Sequence, residues 1–529
     1  MSQDENYARL KKETEAEMQK NDTAEYDDTP VIAIYDVRGI QAYIFKTNKL
    51  KEIEGASKIV NNIFAQTLNE AICELNKEQS VNLEAYTDWE NNAIYRFDAE
   101  KPDIEVIFSG AGNTTVLYKT GKLCRIINRK LSFLTIKKTY SLNLAIAVTK
   151  KTENYKDDYT KLKIKLAIIK AKMKYVSFQS SFPLTRKDIN NDPESEFYKG
   201  KFVSREACRK LAVREEEAGE NNSRGEQLLD NMKIEKNIAI VHIDGNGIGG
   251  AVRDKMQNLT TYKEAVETIR KTSKNINASF NKKPIEYVKK SIEKWNEDKT
   301  YFREVINAGD DITFVCAAEI AMSLCELYMD DLKGQENNFT ACAGIAYIGS
   351  HFPFSRGYEI AEKCCDNAKK KMRKKNGAKA SGYWIDFQIV KSMINDLKEY
   401  RDANYKRGEY NLLSRPYCLD EGNNAFEKLK EYIRHFKNAD NVPRTWCKEL
   451  RNSYDASETQ ASVTLSKMQS RGHKLPEKES ILYDKTKKTA LYFDALEIMD
   501  YFEDVKETKN KDKEDGSDEQ ISAENRIEI

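Results

Sequence analysis

One succession of elements occurs twice in this chain, and any fold must accommodate both copies. In the first, VIAIYDVRGI reads as a strand ending near Asp36, and a helical stretch follows from Ile40 through IEGASKIVNNIFAQTLNEAICEL. IEVIFSGAGNTTVLY then reads as a hairpin, KLCRIINRKLSFL as a helix and SLNLAIAVTK as a strand. In the second, NIAIVHID runs to Asp244, TYKEAVETIRKTSKNINASF and KPIEYVKKSIEKW are helical, and VINAGDDITFV is the hairpin. Helix IAMSLCELYMDDL, strand FTACAGIAYIG and helix GYEIAEKCCDNAKKKM complete it. Strand–helix–hairpin–helix–strand predicts a ferredoxin-like sheet with helices on one face. A repeat of roughly 200 residues implies a duplicated domain, not a solenoid. The fold class expected is α+β: two palm-like domains and a helical C-terminal domain.

The expected division is a polar start over 1–28, a first palm over 29–180, a polar linker or insert over 181–232, a second palm over 233–388, a helical domain over 389–503 and a charged tail over 504–529. SFPLTRKDINNDPESEFYKGKF reads as loop, with a short helix near Ser204–Leu211. FQIVKSMINDLKEY, AFEKLKEYIRHFK and the stretch around Trp446–Met468 are helical by period.

Asp244 and the pair Asp310–Asp311 sit where buried strands break into glycine-rich turns. Carboxylates at adjacent strand ends converge on hard divalent cations such as Mg²⁺ or Mn²⁺. Two such ions support phosphoryl or nucleotidyl transfer. Gly245, Gly247, Gly249 and Gly250 after Asp244 exceed what a simple turn needs, and bare backbone N–H groups there suit a triphosphate. Asp-Gly and Asp-Asp are also ordinary turn chemistry, so the acids gain meaning only from their place in the repeated order. In the first copy, Gly110-Ala111-Gly112-Asn113 aligns with Ala308-Gly309-Asp310-Asp311. Gly112 offers no ligand and Asn113 only a neutral oxygen, so that copy is expected to hold metal poorly, with Asp36 left without partners. One active and one supporting unit follows.

Composition constrains the rest. Charged residues make up 33% of 529, yet 87 basic against 85 acidic leave a net charge of +2, which decides nothing about nucleic acid. No apolar run approaches bilayer length, and the start is neither a signal nor a transit peptide, so no membrane role is expected. Ten cysteines are scattered without a C-x-x-C pair, so neither a zinc ribbon nor a disulfide framework is indicated, and a reducing cytoplasm is the natural compartment. Cys364–Cys365 read as buried thiols. Four histidines, none followed by Asp, argue against a histidine-based metal nuclease.

IYDVRGIQAYIF, SGAGN, IVHIDGNGIGG, AGDD and AGIAYIGSHFPFSRGYEIAEKCCDNAKK together resemble the large subunit of type III CRISPR effector complexes. That family carries two palm domains and makes cyclic oligoadenylates from ATP. The resemblance runs from about residue 30 to 390, and more loosely through LLSRPYCL. It implies a nucleotidyltransferase of antiviral defence with two Mg²⁺ or Mn²⁺ ions and ATP as substrate. It implies Asp244, Asp310 and Asp311 as catalytic acids, metal-binding positions Asp244, Ile243, Asp310 and Asp311, and nucleotide contacts at Gly245, Asn246, Gly247, Ile248, Gly249, Gly309 and Lys369. Implied partners are nucleoside triphosphates, RNA or CRISPR-type effector subunits, and a downstream effector activated by the product. The family's N-terminal nuclease domain has no counterpart before the first palm, and its cysteine ribbon is reduced to Cys208. The expectation is therefore a free-standing relative. The other function class is a scaffold that senses nucleotides or guides RNA without chemistry.

Three further features have plainer readings. The basic cluster Lys369–Lys371, Arg373, Lys374 and Lys375 would as a site attract phosphates or an RNA strand, but with no interleaved aromatics to stack bases its plainer reading is a solvated helix end. KLKIKLAIIKAKMK reads as an amphipathic helix packed on the first palm. His242 is expected to face away from Asp244 as a packed or hydrogen-bonded histidine.

Overall fold

The computed structural model describes residues 26–110, 112–174, 184–188, 190–218, 237–295, 302–376, 381–420, 425–477 and 482–506. The polar start to residue 25, Ala111 and the tail from residue 507 lie outside the described residues. The chain divides into two compact units, Met1–Gly219 with Ile248–Ala278, and Glu220–Gly247 with Ser279–Ile529.

The first unit is built on a five-stranded sheet. Its strands are β1 (Val31–Arg38), β2 (Ala85–Tyr86), β3 (Ile104–Gly110), β4 (Asn113–Tyr118) and β5 (Asn143–Lys150), in the order β2-β3-β4-β1-β5. With β1 between the hairpin and β5, this is the ferredoxin-like arrangement. Helices Leu50–Gln79 and Gly121–Thr139 connect the strands. Helices do not keep to one face, contrary to the sequence expectation. Leu162 and Leu166 of helix Tyr155–Lys172, with Tyr262, Ala265 and Val266, share a core with Ile32, Ile34, Ala145 and Ala147. Tyr35, of opposite parity on β1, packs its ring 6.2 Å from Phe64 of the Leu50–Gln79 helix. The reason lies in VIAIY, whose five residues are all buried: a strand without polar alternation needs cover on both sides.

The segment read as a polar loop contains a hairpin, β6 (Glu194–Tyr198) and β7 (Lys201–Ser204), before helix Arg205–Ala218. Tyr198 pairs with Lys201, leaving Lys199 and Gly200 as the turn with φ of 46° and 83°. Two successive positive φ values match the twist that two-residue hairpins require. The lysine at the first turn position hid this from a search for Asn-Gly or Asp-Gly.

Ile248–Ala278 groups with the first unit although it follows the strand ending at Asp244. Arg270 shows why. It is buried, its Nη2 lies 2.9 Å from the Glu105 carboxylate, and it donates to the carbonyls of Val106 at 2.6 Å and Ile107 at 3.1 Å.

The second unit holds β8 (Ile238–Gly245), β9 (Phe302–Ala308), β10 (Asp311–Ala317), β11 (Ala341–Ile348) and β12 (Trp384–Ile389), with Tyr417–Cys418 at one edge. The order is Tyr417–Cys418, β12, β11, β8, β10, β9. Trp384–Ile389 corrects the helical reading of FQIV: it is a strand parallel to β11, and the helix begins only at Leu397. All six residues of β12 are buried: Ile385, Phe387 and Ile389 alternate with Asp386 and Gln388, and Arg401 of that helix donates to both polar side chains. Ser457 divides the stretch around Trp446–Met468 into helices Arg444–Ala456 and Glu458–Ser470, its hydroxyl accepting from the Gln460 N–H. Four two-residue strands within Lys406–Asn411 and Tyr483–Ala490 form a further small sheet in this otherwise helical region.

Candidate active site

The antiparallel ladder between β8 and β10 places Asp311 directly opposite Asp244. Asp311 also pairs with Ala308, so Gly309 and Asp310 form the hairpin turn. Gly309 has φ of 68°, a conformation that costs glycine little and strains any other residue. The Gly245 N–H donates to the Asp310 carbonyl at 3.2 Å, tying the end of β8 to this turn. The first sheet repeats the register: Asp36 pairs with Asn113, and Asn113 with Gly110. Asn113 thus holds the place of Asp311, and Gly112 that of Asp310, as the sequence alignment required.

One ligand atom from each of Asp244, Asp311 and His242 falls within a group spanning 4.8 Å. His242 is therefore on the Asp244 face, not the opposite one. Residues two apart on a strand share a face, and 242 and 244 have the same parity. Its packing is as expected: Nδ1 lies 3.1 Å from Thr313 Oγ1, the Tyr358 ring centroid is 5.6 Å away, and burial pushes the pKa down to about 4 against the pull of Asp244. Asp310 sits in the turn, outside that group.

The acids strain against one another. Burial, then the charge of Asp244, raises Asp310 above the ordinary carboxylate range. Burial followed by the charges of Asp244 and Asp310 pushes Asp311 up to about 7. As a residue Asp311 is exposed, so its like-charged neighbours carry more of that shift than lost hydration. A crowded set of hard anionic oxygens is the donor set that Mg²⁺ or Mn²⁺ takes, so the residues present fit such ions.

One cation already faces them. Lys369, buried on helix Phe354–Asn376, pairs with Asp244 Oδ2, and its Nζ lies 3.5 Å from the Gly245 carbonyl. Burial disfavours its charge, but Asp244 overrides this and its pKa stands above the usual value. The helix reaches this position because Gly344 has no side chain: a Cβ there would lie 1.9 Å from the Ala361 carbonyl oxygen. Lys369 thus departs from the solvated reading of its cluster. Lys370 and Arg373, by contrast, are exposed. Cys364 and Cys365 on the same helix are buried, as expected.

The turn after Asp244 divides. Gly245, Asn246 and Gly247 belong to the second unit, whereas Ile248 and Gly249 open helix Ile248–Met256 of the first. Gly247 has φ of 69° and open space where a Cβ would stand. The Asn246 side chain is spent on structure: Nδ2 donates to Thr340 Oγ1 at 3.1 Å and the Gly382 carbonyl at 2.8 Å. The Ile243 side chain is fully buried, leaving only its main-chain oxygen as a ligand. Asp36, expected to stand alone, is paired with Lys170 at 2.6 Å.

Residues 237–379 match the family model for the second palm domain of Cas10/Cmr2. This segment is similar to a Cas10/Cmr2 second palm domain. No curated protein matches the chain. Among solved structures, Csm1 of T. onnurineus superposes with a TM-score of 0.52 at 13% identity, covering 90% of this chain and 70% of that one. A Csm1–Csm4 cassette in complex with cA3 gives 0.51 at 13% identity, with 89% and 69% covered. One in complex with ATP gives 0.50 at 13% identity, with 89% and 70% covered. At that identity the Csm1 likeness establishes the palm fold. Among the described residues no helix is long and apolar enough to cross a membrane.

Proposed function

We propose that the Cas10-type palm of this chain is a metal-dependent nucleotidyltransferase that joins ATP into cyclic oligoadenylates. The pairing of Asp311 with Asp244 across β8 and β10, under Lys369, carries the proposal. Asp244, Asp310 and Asp311, with the Ile243 carbonyl, would hold Mg²⁺ or Mn²⁺. Such ions lower the pKa of an attacking 3′-hydroxyl and offset charge on the leaving pyrophosphate.

The chain's own groups complete the site. Lys369 lies on Asp244 and is within reach of any phosphate bound beside it, so its ammonium is the group to meet the triphosphate. Open space stands where a Cβ at Gly247 or Gly309 would be, so a phosphate can approach the main chain closely there. The choice of ATP and of a cyclic product rests on the sequence resemblance, together with the ATP and cA3 in the like-folded Csm1–Csm4 cassettes.

Catalysis is assigned to 233–388, with 29–180 supporting and 389–503 bracing. Csm4-like effector subunits and RNA are the partners proposed, with a downstream effector that answers to the product. Ten free thiols accord with a reducing cytoplasm. Purified protein incubated with labelled ATP and Mg²⁺ tests this reading: released pyrophosphate and oligoadenylate support it, and bound but unaltered ATP favours a nucleotide sensor.

A further inference from the structure

We propose that Asn281 is the positioning residue that fixes the acidic turn for metal, an inference that rests on the metal-site reading above. Its side-chain Nδ2 donates to the Gly309 carbonyl at 2.9 Å. Gly309 precedes Asp310 and Asp311, and with no Cβ and φ of 68° it is the least restrained position of the turn. A hydrogen bond to its carbonyl orients the peptide that carries Asp310. The other side of the turn is held by the Gly245 N–H on the Asp310 carbonyl, so the two bonds clasp consecutive peptides.

Asn281 reaches the turn through an irregularity. Ala278–Lys282 is a π-turn between helices Tyr262–Asn277 and Lys283–Trp295. A π-turn breaks the regular backbone pairing and leaves carbonyls to be satisfied elsewhere. Here helix Ala321–Lys333 and its following loop supply the donors: Tyr328 Oη donates to the Phe280 carbonyl at 2.8 Å, Gln335 Nε2 to the Ser279 carbonyl at 3.1 Å, and Asn337 Nδ2 to Ser279 Oγ at 3.0 Å. Phe280 is fully buried. Three side chains thus hold the wide turn, and Asn281, itself 5% exposed, projects from it onto Gly309. Such turns persist where they aim a side chain at a functional position.

Like-charged acids would otherwise spread a glycine turn apart. A fixed Gly309 peptide keeps Asp310 and Asp311 near Asp244 before any cation arrives, so less ordering is left for metal to impose.

The test compares wild type, Asn281→Ala, the isosteric Asn281→Asp and Tyr328→Phe, which loosens the π-turn without removing a bond to Gly309. Hydrogen exchange of residues 309–311 in the metal-free protein and Mn²⁺ affinity by paramagnetic resonance are read together. Expected are exchange about tenfold faster in both Asn281 variants and Mn²⁺ binding about tenfold weaker in Asn281→Ala, with Tyr328→Phe, which keeps the bond to Gly309 and slackens only the base of the π-turn, showing a smaller change in the same direction. Wild-type Mn²⁺ binding with unchanged exchange and affinity in Asn281→Ala overturns this inference alone, as does an equal effect of Tyr328→Phe. No Mn²⁺ binding by wild type overturns it together with the proposed function.

Discussion

Lys170 Nζ lies 2.6 Å from the Asp36 carboxylate, in the place that Lys369 holds against Asp244. Each lysine belongs to the helix that follows the last strand of the repeat, β5 or β11, and each aspartate lies near the end of its first strand, β1 or β8. The duplication therefore preserved an acid–lysine pair while the hairpin acids diverged. In the first unit the pair stands by itself: Asn113 occupies the position of Asp311, so Lys170 neutralises Asp36 without competition. Substituting Gly112→Asp with Asn113→Asp should then create no second metal centre. Mn²⁺ stoichiometry by paramagnetic resonance should equal that of wild type.

Space limits Gly112 as well. With φ of 85° and Ile40 Cδ1 2.2 Å from where a Cβ would stand, Gly112→Ala is expected to cost about 1–2 kcal/mol, read as a lowered thermal midpoint. That loss reports on the fold of the first unit and precedes any effect on chemistry.

Arg270 offers a sharper stability test. Glu105 is fully buried, and burial raises its pKa against the pull of Arg270. Replacing Arg270 by Met strands that carboxylate and several main-chain carbonyls. A loss of about 3–5 kcal/mol is expected in denaturant unfolding. Glu105→Gln combined with Arg270→Met should recover part of it.

The acids also set a pH dependence. Asp310 and Asp311 hold protons more tightly when folded than when unfolded, Asp311 up to about 7. Their contribution to stability is thus largest below the unfolded carboxylate pKa of about 4, and falls as pH rises towards 7. Metal-free wild type should lose thermal stability across that window relative to Asp311→Asn, and saturating Mg²⁺ should reduce the difference. Melting curves from pH 4 to 8 check this.

The duplicated order, both hairpins and the alignment of GAGN on AGDD were legible because strand period and turn chemistry are local. Lys369 was legible through the family motif, although its burial on Asp244 depends on Gly344 admitting the helix. Three things were hidden for physical reasons. Asn281 has no motif, since a π-turn is set by donors from a distant helix. Arg270 belongs to the first unit through contacts with Glu105, which no window of sequence spans. WIDFQI carries a strand period in Ile385, Phe387 and Ile389, but Asp386 and Gln388 are buried on Arg401 and do not face water, which the local pattern does not show. The side of His242 was a misreading of strand parity, which the sequence itself contained.

The central claim is that Asp244, Asp310 and Asp311 form one metal-dependent centre for nucleotidyl transfer. It is tested most directly by incubating wild type and the Asp310→Ala, Asp311→Ala double variant with labelled ATP and Mg²⁺ or Mn²⁺, and following pyrophosphate and oligonucleotide. Wild type should release pyrophosphate and form oligoadenylate, and the variant should retain its fold, because Asp311 is exposed and Asp310 only half-buried. Its turnover should fall by about a thousandfold or more. ATP left unchanged by wild type, or full turnover in the double variant, would contradict the account.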